Sequence, residues 1–443
     1  VDDRTILYTI AGIIGLYLAG HVLARRFDPF APVWLFLVGY FQVYVVQAMT
    51  YREWAINTRG IQLVTAADLR ALWALAWYLA VYHMPAGSWL AGKLPRPPRS
   101  WPPALIAVLT PPLILWGLYC SGLTLREGMQ GSEPLTPEQV LMLSFAFLTM
   151  VAAVMLIVTG RSIEAPRPAF LVAGLATSGL YTVIWMFNGK RSPALIGVLA
   201  TVCAWYISRL RRPSWPVLLA TGCAGVLVVA IAIGWRNNSN YEASASGFIQ
   251  YLSEFDLERV RASLNVGEED EDESITHEST EYGGFILMMD TVPDKADYDY
   301  GANYLRTFST FIPRLLWPDK PIFGRAAWQA AWVAGSELDR AEDFTSPAIG
   351  ILGATQLNGG ATGTLIVLFC IALLHRTAYE FFRRHQERIW VQFWWAISYF
   401  NAWFMVVNDD PMVWFYYNWG YTTLPIVTLL WFACRFVDAQ TAA

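Results

Sequence analysis

Eleven apolar runs, most of them close to the length a helix needs to cross a bilayer, leave this chain few ways to fold. They are Ile6–Val22, Pro32–Met49, Leu69–His83, Pro103–Tyr119, Val140–Val158, Phe170–Phe187, Pro193–Ser208, Pro216–Ile233, Ala348–Leu374, Ile389–Val407 and Val413–Phe432. A helix needs about 20 apolar residues to span ~30 Å of hydrocarbon. The alternation of a closed β-barrel is absent from the runs. The expected fold is therefore all-α and polytopic, with about 11 transmembrane helices. Only 15% of residues are charged, where a soluble domain carries about a quarter. The third run is the weakest and needs residues on either side to span. Many of the 21 Trp and 21 Tyr stand near run ends, as in interfacial belts. Ala24-Arg25-Arg26 follows the first run where a cleaved signal would have small residues, so that run is expected to remain a membrane helix.

One gap between runs stands apart. It extends from Gly234 to Pro347 and holds 21 of the 35 acidic residues and 9 of the 31 basic ones. The chain thus divides into an eight-helix membrane region at 1–233, a large loop at 234–347 and a three-helix region at 348–443. If the loop faces outward, short inner segments carry fifteen Lys and Arg and short outer segments six. The positive-inside rule then puts the N-terminus and loop outside and the C-terminus inside. None of the five cysteines lies in the loop, so no disulfide staples it and it must be anchored to the bundle otherwise. No CxxC, P-loop, Rossmann or nucleic-acid motif occurs. No internal repeat of the kind found in many transporters is visible.

Within the loop, Phe248, Tyr251, Leu252 and Phe255 fall at helical spacing over Ser246–Arg261, and Ser279–Asp290 is a second candidate helix. Between them, Glu268–Glu273 is a run of six acids that reads as a solvated turn and lacks the spacing of a built calcium loop. Asp297–Gly301 reads as a turn. The phrase Ile312-Pro313-Arg314-Leu315-Leu316-Trp317-Pro318-Asp319-Lys320-Pro321 follows. Its prolines limit the freedom lost on binding, and Arg314 and Lys320 are phosphate-binding types. It serves either as such a grip or as an anchor at headgroup depth. Lys190 and Arg191 occupy a short outer turn where the charge rule disfavours them, with Ser192 and Pro193 expected to open the seventh helix. That turn is an anion site or a lipid-phosphate contact. Arg52, Arg59, Arg236, Arg306, Arg325 and Arg340 are further outer cations, each a candidate for a salt bridge or for ligand contact. Candidate bases are Glu278, Glu281, Asp297 and Asp299, then Asp409 and Asp410, which either share a proton or cap the last helix, and His277, otherwise a plain surface histidine.

Tyr300-Gly-Ala-Asn-Tyr304 and the Ile312–Pro321 phrase together resemble the outer-loop signature of bacterial O-antigen and exopolysaccharide repeat-unit polymerases (Wzy-type). Ser346–Gly350, Asn358-Gly359-Gly360 and the Gly189–Ser192 turn are similar to further segments of that family. The acidic run departs from it. The resemblance implies a GT-C-like membrane glycosyltransferase of the bacterial inner membrane, with a periplasmic loop and a cytoplasmic C-terminus. Its substrates would be two undecaprenyl-diphosphate-linked glycans. A hydroxyl of one attacks the anomeric carbon of the other, and lipid diphosphate leaves, with no cofactor or metal. Lys190, Arg191, Arg306, Arg314, Lys320 and Arg325 would hold diphosphate, and Trp317 and Tyr304 sugar. A flippase and a chain-length regulator are the implied protein partners. An O-antigen ligase, a transporter or flippase of lipid-linked sugars, and an acyltransferase are the rival functions.

Overall fold

In lipid the backbone must satisfy its own hydrogen bonds, and the apolar runs do so as helices. The structure is a computed structural model that describes residues 3–128, 142, 144–236, 241–242, 244–256, 280–302, 304, 316–319, 348–407, 420 and 422–442. Among these residues every regular element is helical. In chain order they are α1 (Asp3–Leu23), α2 (Pro32–Thr50, including a π-helical stretch at Gln42–Gln47), α3 (Arg52–Arg59), α4 (Ile61–Tyr82), α5 (Pro85–Lys93), α6 (Pro103–Gly128), α7 (Leu148–Gly160) and α8 (Pro168–Phe187). Then follow α9 (Arg191–Ile207), α10 (Trp215–Arg236), α11 (Ala245–Ser253), α12 (Glu281–Thr291), α13 (Gly350–His385), α14 (Ile389–Ser398), α15 (Asn401–Val407) and α16 (Leu424–Ala442).

Seven of these, α1, α2, α4, α6, α8, α10 and α13, are long and apolar enough to cross a membrane. The other four expected spans take different forms. Helices α7 and α9 are apolar but have 13 and 17 residues, about 20 and 26 Å of axis. The tenth run is divided into α14 and α15 at Tyr399 and Phe400. For the eleventh, the described helix α16 begins at Leu424 and continues ten residues past Phe432. The weak third run gains its missing length at its start: α4 opens after Gly60, whose φ of +86° favours glycine, and so takes Asp68 and Arg70 into an apolar helix.

Packing divides the chain into two compact units, each using segments from both sides of the large loop. The first comprises Val1–Leu94, Glu269–Phe381 and Asn401–Tyr416. Its centre holds α12, a helix from the large loop that is buried from Glu281 through Met288. Thr280 caps it by accepting the Gly283 N–H at 3.1 Å. The Gln47 side chain grips its first turn twice, donating to Glu281 Oε2 at 2.6 Å and accepting the Tyr282 N–H at 3.1 Å. Asp68, fully buried, accepts from both Arg52 (2.6 Å) and the Tyr282 hydroxyl (2.9 Å). At the far end Asp290 pairs with Arg59 at 2.9 Å and Lys295 at 2.7 Å. These contacts supply the anchoring that the missing cysteines require.

The second unit comprises Pro95–Glu268, Phe382–Phe400 and Tyr417–Ala443. Every residue of α7 is buried there. Small residues let its neighbours approach: Gly117 of α6 lies against Thr149, and Gly174 of α8 against Ile157.

Candidate functional site

The Lys190 turn lies in the second unit, and its shape follows from one glycine. Helix α8 ends at Phe187, and Gly189 takes a left-handed φ of +63°. The Lys190 N–H then donates to Trp185 O and the Gly189 N–H to Met186 O, both at 3.0 Å, which closes the helix in a Schellman turn. The chain re-enters helix at once, with Lys190 as N-cap of α9. The helix therefore starts at Arg191, and Ser192 and Pro193 belong to its first turn where they were expected to begin it. A β-carbon at Gly189 would lie 2.8 Å from Arg236 Cβ, so the glycine also lets the end of α10 approach.

Three cations thus gather at one place, Lys190 and Arg191 on the turn and Arg236 packed against it. Among the described residues none of the three has a carboxylate partner. The Asn188 side-chain amide nitrogen is buried there without an acceptor among the described residues. The free backbone N–H groups that open any helix add further donors. Lys190 keeps solvent contact, yet burial by the surrounding protein, and then the Arg236 guanidinium, push its ammonium below the ordinary lysine range. An excess of donors and positive charge is what a phosphate or sulfate resolves.

An aromatic wall stands behind the turn. Trp235 donates to Phe187 O at 2.8 Å and stacks on the Phe187 ring at 5.8 Å. Phe248 meets both rings edge-on, at 5.4 and 5.1 Å, and Tyr251 closes on Trp235 at 5.6 Å. Both belong to α11, the amphipathic helix expected from residue 246, which Ser244 caps. Of the expected stripe Phe248 and Tyr251 are buried, but Leu252 is exposed along with Ile249, and the helix ends at Ser253, short of Phe255. The outward apolar pair suits a helix seated at a membrane surface.

The other expected site residues are distributed differently. In the first unit Tyr304 is partly buried, its N–H donating to Gly301 O at 3.0 Å, and Trp317 is exposed. Arg52 and Arg59 belong to the salt bridges that hold α12. His277, Glu278, Arg306, Arg314, Lys320, Arg325, Arg340, Asp409 and Asp410 lie outside the described residues, as does the acidic run Glu268–Glu273. Sequence alone raises Arg236 only as one outer cation among several; its place beside Gly189 comes from tertiary packing. Comparison with known protein families, curated proteins and solved structures returns no match.

Proposed function

We propose that this chain polymerises glycan repeat units carried on undecaprenyl diphosphate at the outer face of the bacterial inner membrane. The observation that carries the reading is the trio of Lys190 and Arg191, on a turn between two apolar helices, and Arg236 packed against it, with no carboxylate partner among the described residues. A donor of this kind presents diphosphate at headgroup depth, where such a turn can meet it. As the acceptor hydroxyl attacks the anomeric carbon, the sugar–phosphate bond breaks and its electron pair leaves with the diphosphate. Fixed cations stabilise that developing charge, and losing one such contact raises a barrier by ~3 kcal/mol. The hydroxyl proton passes to a base drawn from His277, Asp409 and Asp410. In the first unit the exposed Trp317 gives a ring on which a sugar can stack, and Arg314 and Lys320 beside it in sequence are phosphate-binding types.

The test is reconstitution in nanodiscs with a single lipid-diphosphate repeat unit. Longer glycan together with released lipid diphosphate is expected, and Arg191→Ala should lower the rate by about 100-fold. Transfer only to a finished lipid core would favour a ligase. Translocation in vesicles without any new glycosidic bond would replace the polymerase reading with a flippase.

A further inference from the structure

Arg70 is a charge inside an apolar helix of the first unit that the salt bridges above leave unexplained. It lies nine residues into α4, roughly 14 Å along a 22-residue apolar helix. An ionisable group at such depth is costly and ordinarily has a partner or a function. Its hydrogen bonds go to neutral oxygens, Gln356 Oε1 at 3.1 Å and Thr364 Oγ1 at 3.4 Å. Its guanidinium carbon is 5.5 Å from the Trp73 ring centroid. Among the described residues it has no carboxylate partner. Asp68 cannot serve, because two residues along a helix place it about 200° round the axis, where it holds Arg52 and Tyr282.

The surroundings make the missing negative charge more conspicuous. Helix α13 is broken at Gly359 and Gly360. Gly360 has φ +59°, and a β-carbon there would come within 2.7 Å of the Tyr298 hydroxyl. The first half of α13 has its end satisfied, since Leu357 O accepts the Asp299 N–H at 2.9 Å. Thr364, which Arg70 touches, lies in the first turn of the second half. The positive end of a helix dipole and a guanidinium therefore face each other. Beside them the surface is apolar and exposed: Leu69 on α4 and Leu365, Ile366 and Phe369 on α13. Trp77 bridges the two helices through its N–H to Leu365 O at 2.9 Å.

We propose that Arg70, at the break of α13, is a binding site for the phosphate group of an amphiphile that enters from the bilayer side. The guanidinium fork takes the phosphate oxygens, and the exposed leucine and isoleucine side chains take the acyl or prenyl chain. The site stands whether or not the chain polymerises sugars.

Binding to the purified full chain is measured by native mass spectrometry with dioctanoyl phosphatidic acid, dioctanoylglycerol and inorganic phosphate as probes. Phosphatidic acid should bind and dioctanoylglycerol should not. Arg70→Gln should weaken phosphatidic acid about tenfold or more, and Arg70→Lys less. Inorganic phosphate that binds with the same dependence on Arg70 would support the anion site and identify a free ion as sufficient. Equal binding of the two amphiphiles, or unchanged affinity in Arg70→Gln, would overturn the proposal. If Arg70→Gln does not fold, a photoreactive phosphatidic acid on the wild-type chain decides: labelling at Leu69–Trp77 or Leu365–Phe369 is expected, and labelling confined elsewhere rejects the site.

Discussion

Lys190 stands on an exposed turn beside a second cation, Arg236. Burial and Arg236 lower its pKa, so it sheds its proton at a lower pH than an ordinary lysine. The sign for stability follows: above the lowered pKa and below the ordinary value, the unfolded chain binds more protons, and stability rises with pH. Anion binding has the opposite trend, because the neutral amine attracts no anion. Sulfate, whose charge is constant over this range, should therefore lose affinity as pH rises toward the ordinary lysine value. Lys190→Arg, which stays protonated, should hold its affinity over the same range; parallel curves for the two proteins would show that Lys190 does not contact the anion. A second contrast separates structural arginines from binding ones. Asp68→Asn removes the carboxylate that serves both Arg52 and Tyr282 in a fully buried site and should destabilise by about 3–5 kcal/mol. Arg59→Ala breaks a more exposed pair and should cost no more than about 1 kcal/mol. Thermal unfolding in detergent ranks the two. Lys190 and Arg191 were legible in the sequence because they break the charge rule. Arg70 was not, because the apolar run begins at Leu69 and has Arg70 as its second residue, at the edge of the expected span. Only the extension of α4 back to Ile61 puts it inside a helix.

At the scale of elements, periodicity found the helices, and local breaks escaped it. Helix α11 was visible in its stripe, and α12 as a candidate helix over Ser279–Asp290. The depth to which α12 is buried was not, since a helix apolar all round says only that it is covered. The break in α13 has a visible cause in Gly359-Gly360. That between α14 and α15 has none, because Ile397-Ser398-Tyr399-Phe400-Asn401 contains neither glycine nor proline. Close approach is what fixes α12. A β-carbon on Gly284 would fall within the contact radius of Ala348 O, a backbone atom that cannot swing away. Gly284→Ala should therefore cost about 1–3 kcal/mol and loosen α12. Gly222 on α10 has nothing within 4 Å of the corresponding position. Gly222→Ala should be neutral or stabilise by about 0.5–1 kcal/mol through helix propensity. Equal thermal shifts in the two variants would remove the packing account of Gly284.

For the whole molecule the open quantity is which helices cross. The eleven runs place eight before the large loop and three after it; the seven long helices place six before and one after. Both counts put the N-terminus and loop on one side and the C-terminus on the other. They differ between α6 and α10, and again after α13, where the tenth and eleventh runs would add a pair of crossings. If α7 and α9 cross, the Lys190 turn shares the loop's side, and Arg161, Arg167, Arg209, Arg211 and Arg212 share the opposite one. If neither crosses, Arg161 and Arg167 move to the loop's side and the Lys190 turn leaves it. Length argues against crossing, since α7 and α9 fall short of ~30 Å of hydrocarbon. Packing weakens that objection: α7 is buried along its whole length and so faces protein, where a short helix leaves no lipid mismatch to relieve. The charge rule favours crossing as well. The expected topology therefore has the Lys190 turn outside with the large loop. In a variant with the five cysteines replaced, Ser192→Cys should react with a membrane-impermeant maleimide added to intact cells, and Glu164→Cys, on the exposed α7–α8 connection, should react only after lysis. The reverse pattern would put Lys190 and Arg191 across the membrane from Arg236, which stands where the large loop begins, and would contradict the packing of Gly189 against Arg236.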